Sequence, residues 1–146
     1  MRLKNTNPFA YAHKIEKQVD SLIKLGVAAN NTTVIGASKG AIIAMIISSI
    51  LKNGQVNFVF MAGCNKDLLE GFSSMKFYGN ILSIYEKSDS IGRSCMDFRK
   101  RPAQQIPHYK EIELHTGLRH GFLYRPLPVW VQPAIKWAGN DYSLQK

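Results

Sequence analysis

Acidic side chains are scarce: against 19 Lys and Arg stand only 10 Asp and Glu, a formal net charge of +9 in 146 residues. An excess of that size suits solubility, an anionic substrate, a membrane surface or a nucleic acid. The basic residues are scattered from Lys4 to Lys146, and the one tight cluster, Arg99-Lys100-Arg101, has no aromatic residues alternating with it as in a base-stacking platform. A nucleic-acid partner is therefore not expected. Cysteine is rarer still. Cys64 and Cys95 are too few for a disulfide scaffold and lack the close pairing with histidine that a zinc site needs, although they could bridge each other. No run is apolar for as long as a membrane span requires, and residues 1–7 are polar with no hydrophobic segment of signal-peptide type. The default expectation is a soluble cytoplasmic protein, or an exported one if the N-terminus is truncated. No internal repeat or low-complexity segment is visible. The remaining composition, 45% hydrophobic and 20% charged, is ordinary for a globular protein and long enough for one domain over 1–146 with its own core.

One stretch organises the rest. Thr32-Thr33-Val34-Ile35 is a β-branched run that meets Gly36-Ala37-Ser38-Lys39-Gly40, and an apolar run of helical length follows at once. Strand, sharp turn and helix form the context in which Gly-x-Ser-x-Gly carries chemistry, because the turn lifts the serine hydroxyl clear of the sheet. The turn forces Ser38 into a strained backbone conformation, and both Gly36 and Gly40 are expected to be needed there, having no Cβ to collide with the strand and helix that pass so close together. Ser38 would sit at a helix N-terminus, where free N–H groups favour an oxyanion. The plain competing reading is a Gly-rich βα turn with an exposed serine.

Around this turn the pattern predicts an amphipathic helix over 8–26, with Ile15, Val19, Leu22 and Ile23 at helical spacing, opened by Asn7-Pro8 and closed by Gly26. Further strands are expected at 56–63, 81–86 and 111–115, the last alternating as an edge strand does. Helices are expected at 39–51, apolar nearly all round, and at 128–137, where Pro133 would shorten or kink it. A short helical turn falls around Leu68. The fold class is α/β: a three-layer sandwich with a mostly parallel sheet of about four strands and helices on both faces.

Ligands of such sheets bind beyond the carboxyl ends of the strands. Asp89 follows the strand 81–86 and His120 follows the last strand, so nucleophile, acid and base come in the order Ser38, Asp89, His120, each after a successive strand. Asp97 is the reserve acid, and Asp89 could instead cap the next segment. His108 precedes a strand after a proline, His115 is read as lying inside one, and His13 as a helix-surface residue. The Lys39 side chain reads as solvated at the helix start, whatever its backbone N–H does.

With Gly36-Ala37-Ser38-Lys39-Gly40, Ser88-Asp89 and His120-Gly121 in place, the chain resembles the C-terminal part of an α/β-hydrolase over essentially all 146 residues. It is especially similar to small uncharacterised bacterial hydrolases with a Gly-x-Ser-Lys-Gly elbow. The resemblance implies a serine hydrolase acting on a small-molecule ester or thioester, with no metal or organic cofactor. In it Ser38 attacks the acyl carbonyl, His120 moves the proton, Asp89 holds the imidazole, and the N–H of Lys39 is one oxyanion-hole donor. The family's second donor comes from a loop after an earlier strand, and residues 1–7 are too short and polar to supply one.

Two other classes compete. Gly36-Ala37-Ser38-Lys39-Gly40 also resembles the glycine turn of short-chain dehydrogenases, but that turn wants a glycine where Ile42 stands, and Tyr142-x-x-x-Lys146 lies at the extreme C-terminus. A non-catalytic interaction domain that keeps the hydrolase fold is the other. The strand 32–36, lacking its usual inner neighbour, is expected to present an apolar edge, so the chain should form a homo-oligomer or be part of a longer chain. If strands 56–62 and 81–86 are neighbours, Cys64 and Cys95 lie at the same sheet end, and a disulfide would form in an oxidising compartment.

Overall fold

The computed structural model describes residues 7–143. Its helices are α1 (Pro8–Lys24), α2 (Lys39–Leu51), α3 (Lys66–Gly71), α4 (Met96–Arg99) and α5 (Pro128–Ala138). Its strands are β1 (Thr33–Ala37), β2 (Asn57–Met61), β3 (Asn80–Glu86) and β4 (Tyr109–Leu114), all parallel and side by side in the order β1-β2-β3-β4. Each crossover carries the chain back over a face of the sheet, so the segment after every strand emerges at one end.

Pleating divides the side chains between two cores. Phe58, Phe60 and Ile81 face α1 and α2 together with Ala41, Ala44, Met45 and Ala12. Val59, Met61, Leu82 and Ile84 face the opposite way, against Trp137 and Ala134 of α5 and Phe122. The central strands β2 and β3 are buried at every position, as strands covered on both faces of a parallel sheet are, and that includes the polar Asn57, Asn80, Ser83 and Glu86. On the first face the rings of Phe60, Phe77 and Phe98 succeed one another at 5.3 Å. Burying each stabilises the fold by roughly 1.5–3 kcal/mol.

Local chemistry sets the element ends. The Asn7 side chain accepts the N–H of Phe9 and Pro8 occupies the first helical position of α1. The helix stops at Lys24, two residues short of the expected Gly26, and Leu22 is turned to solvent rather than to the core. Pro133 lies inside α5 without shortening it, and the helix runs on to Ala138. β4 ends at Leu114, which leaves His115 outside the strand and at the surface beside Glu113. Its residues are nearly all half-buried instead of alternating. The 3₁₀ turn Ala29–Asn31 falls where Asn30-Asn31 marks a turn, whereas α4 and the 3₁₀ turn Arg119–Tyr124 are too short for a periodic signal. The polar stretch 1–7 lies, but for Asn7, outside the described residues.

At the N-terminal end of the sheet, register partners Asn57 and Asn80 meet Asn140 and Tyr142 in a buried polar cluster. Trp137 donates its indole N–H to the Asn80 carbonyl at 3.0 Å, tying α5 to β3. Tyr142 is thus absorbed into packing, with His108 stacked on its ring at 4.1 Å, and Lys146 lies outside the described residues. β1 is an outer strand, and its Ile35 is 54% exposed.

Candidate active site

Ser38 occupies the turn between β1 and α2 with φ 55° and ψ −119°, a backbone that L-residues seldom adopt. Two features hold it there. Its N–H donates to the Met61 carbonyl at the end of β2, at 2.8 Å. Strand and helix also approach so closely that a Cβ at Gly36 would overlap the Gly40 carbonyl and come within 2.8 Å of the Ala41 nitrogen. The crowding is one-sided: a Cβ at Gly40 would meet nothing within 4 Å, so the expectation that both glycines are required is corrected to Gly36 alone. The first helical N–H groups turned back on the chain are those of Ala41 and Ile42, both to the Ser38 carbonyl. Those of Lys39 and Gly40 precede them at the open helix start. The Lys39 side chain is exposed.

The segments after β3 and β4 bring their polar residues to the same place. His120 Nε2 lies 2.9 Å from Ser38 Oγ, and His120 Nδ1 lies 2.7 Å from Asp89 Oδ2. Asp89 is buried at 1% exposure; its other oxygen accepts the N–H of Ile91 at 2.8 Å, and its own N–H donates to the Glu86 carbonyl. With one oxygen engaged by the backbone, the other is aimed at the imidazole. Phe122, fully buried two residues on, anchors the 3₁₀ turn that presents His120. The competing residues are elsewhere: Asp97 and His13 are exposed, His108 stacks on Tyr142 and His115 pairs with Glu113. Among the described residues, no group of three or more His, Cys, Asp or Glu side chains is placed to hold a metal ion, and no helix is long and apolar enough to cross a membrane.

A disulfide joins Cys64, after β2, to Cys95, with Cα atoms 5.2 Å apart at a sequence separation of 31. It closes the segment that contains β3 and Asp89. Arg93, inside that segment, donates from Nη1 to the Lys87 and Asp89 carbonyls at 2.8 and 2.9 Å, and Glu111 of β4 accepts the Cys95 N–H at 2.9 Å. A closed loop of this length removes denatured-state entropy worth about 2–4 kcal/mol. Replacing both cysteines by alanine is therefore expected to lower the unfolding temperature in a thermal melt, and dithiothreitol to lower that of the unmodified protein alone. An unchanged melting temperature in both cases would show that the bond does not constrain this segment.

Sequence reasoning missed Arg93 and Glu86. Glu86 is a buried carboxylate under the Asp89 turn, its side chain bound to Ser88 and Thr116. Burial alone would raise its pKa, but hydrogen bonds from the Thr116 hydroxyl and N–H and from the Ser88 N–H and hydroxyl outweigh that and bring it down to about 2. A strand-end glutamate reads as solvated, and nothing in the local sequence marks it as buried.

No protein-family model matches the chain, and no curated protein matches it in sequence. Among solved structures, the chain is similar to a variant of Arabidopsis thaliana SOBER1, with a TM-score of 0.65 and 14% identity over 92% of this chain and 64% of that one. At that identity the likeness shows the fold alone. The fold is α/β, a four-stranded parallel sheet with helices, and the chain spans 64% of the SOBER1 structure's length.

Proposed function

We propose that this chain is a serine hydrolase of the α/β-hydrolase type that cleaves an ester or thioester through Ser38, His120 and Asp89. The observation that carries the reading is the unbroken series Ser38 Oγ, His120 Nε2, His120 Nδ1, Asp89 Oδ2 with steps of 2.9 and 2.7 Å, starting from a serine in a strained elbow at a helix N-terminus. Ser38 Oγ attacks the acyl carbonyl while Nε2 takes its proton. The carbonyl π pair moves to oxygen, and the resulting oxyanion is met by the Lys39 N–H. Collapse restores the carbonyl and breaks the bond to the leaving alcohol or thiol, which receives the proton from His120. Water then repeats both steps on the acyl-serine and frees the acid. Asp89 holds the imidazole tautomer that accepts at Nε2 and stabilises the imidazolium formed at each stage.

Hydrolysis of p-nitrophenyl butyrate tests this. A pre-steady-state burst of p-nitrophenol equal to the number of active chains, absent in Ser38→Ala, is the expected result. A steady rate that Ser38→Ala leaves intact would overturn it.

The outer strand β1 extends the proposal to assembly. Its free ladder contains neither proline nor charge, and Ile35 is left half in water. The isolated chain is therefore expected to self-associate along this edge. Sedimentation equilibrium at micromolar concentration should give a mass above that of one chain, whereas a concentration-independent monomer would contradict it.

A further inference from the structure

We propose that Glu86 is a positioning residue for the catalytic group, its carboxylate holding the turn that carries Asp89 and the turn that carries His120 in register with each other. The inference rests on the serine-hydrolase reading and adds a residue to it. Glu86 is the last residue of β3 and 1% exposed. Five donors from two separate segments converge on it. From the acid-bearing turn come the Ser88 N–H at 3.3 Å and the Ser88 hydroxyl at 3.0 Å. From the base-bearing turn come the Thr116 N–H at 2.9 Å, the Thr116 hydroxyl at 2.6 Å and the Gly117 N–H at 3.4 Å. The link continues to the base itself: Ser88 Oγ, which donates to Glu86, accepts the N–H of Arg119 at 3.0 Å. Arg119 has a φ of 55° and immediately precedes His120.

A buried carboxylate is costly unless its charge is compensated. No Lys, Arg or His pairs with Glu86 among the described residues, so the five hydrogen bonds are what hold it. A simple packing role would be filled at lower cost by an apolar side chain, and bonding within one turn would need only one segment. What this carboxylate does that neither alternative does is bridge the two loops whose side chains must meet at 2.7 Å. A neutral amide cannot substitute: the NH2 of glutamine would face donors, and the turns would separate. Misplacement of a reacting group by about 1 Å costs roughly 100-fold in rate.

The test compares Glu86→Gln and Ser88→Ala with the unmodified protein on p-nitrophenyl butyrate, with rates normalised to sites titrated by the burst. The expected result for Glu86→Gln is a kcat per competent site reduced roughly 10- to 100-fold with KM little changed. Ser88→Ala should show a smaller loss of the same kind, and the double variant should be no worse than Glu86→Gln, because both act through one linkage. The low-field proton resonance of the His120–Asp89 hydrogen bond should weaken or broaden in both variants. A purely structural role would lower the number of titrated sites but leave kcat per site and the resonance unchanged, and that result overturns the inference. If Glu86→Gln fails to fold, Ser88→Ala decides by the same two readouts. If the unmodified protein shows no Ser38-dependent turnover, the hydrolase reading has failed, and the resonance alone decides for Glu86. If turnover is Ser38-dependent and the variants match it, only the role of Glu86 falls.

Discussion

Ser38→Ala and His120→Ala are each expected to lower ester hydrolysis by about 10,000-fold or more, and the double variant to be little worse than either. The reason is geometric. With Ser38 Oγ and His120 Nε2 at 2.9 Å, the hydroxyl is a nucleophile only while the imidazole can take its proton, so removing one partner removes the use of the other. Asp89→Asn should be nearly as severe, because an amide NH2 facing Nδ1 favours the tautomer with its proton on Nε2, where the base is needed. Steady-state kinetics on the three single variants and the Ser38/His120 double variant check this. Losses that multiply in the double variant would mean that the two side chains act independently.

Gly36→Ala is expected to destabilise the protein by about 3 kcal/mol or more and to abolish activity in whatever remains folded, while Gly40→Ala is expected to be nearly silent. The added methyl at Gly36 would enter the Gly40 carbonyl and crowd the Ala41 nitrogen, all backbone atoms, so no side-chain rotation relieves the overlap. Either the start of α2 moves away from β1 or the turn at Ser38 opens, and both break the approach to His120. At Gly40 a methyl meets open space and improves helix propensity. Urea unfolding of the two variants separates the cases. Equal stabilities would show that the close approach of strand and helix is not what the Gly-x-Ser-x-Gly spacing serves here.

Much of the fold is legible in the sequence because its signals are long and local. The mainly apolar, β-rich stretches expected as strands at 56–63 and 81–86 are the covered parallel strands β2 and β3, and the β-branched run, turn and apolar helix at 32–51 order strand, elbow and helix as expected. Ser38, Asp89 and His120 are readable for a related reason: parallel connections deliver every post-strand segment to the same end, so chain order predicts which residues can meet. What escapes is set by tertiary contact. The left-handed backbone at Arg119, the burial of Glu86 and the Arg93 clasp on the Asp89 loop depend on partners roughly 30 residues away or on loop paths without periodicity. The same limit explains the corrections at Leu22 and at the end of β4. Leu22 has helical spacing but faces water, and His115 sits one residue past the strand that pattern assigned to it.

Ser38 is proposed to be a nucleophile activated by His120. Reaction with a fluorophosphonate followed by intact-mass and peptide mapping addresses it without knowledge of the natural substrate, since the probe requires only an activated serine. One adduct per chain at Ser38, lost in Ser38→Ala and slowed by orders of magnitude in His120→Ala, is the predicted result. A chain that stays unlabelled while its disulfide and cooperative melt show it folded would contradict the claim and leave a non-catalytic domain that keeps the same fold.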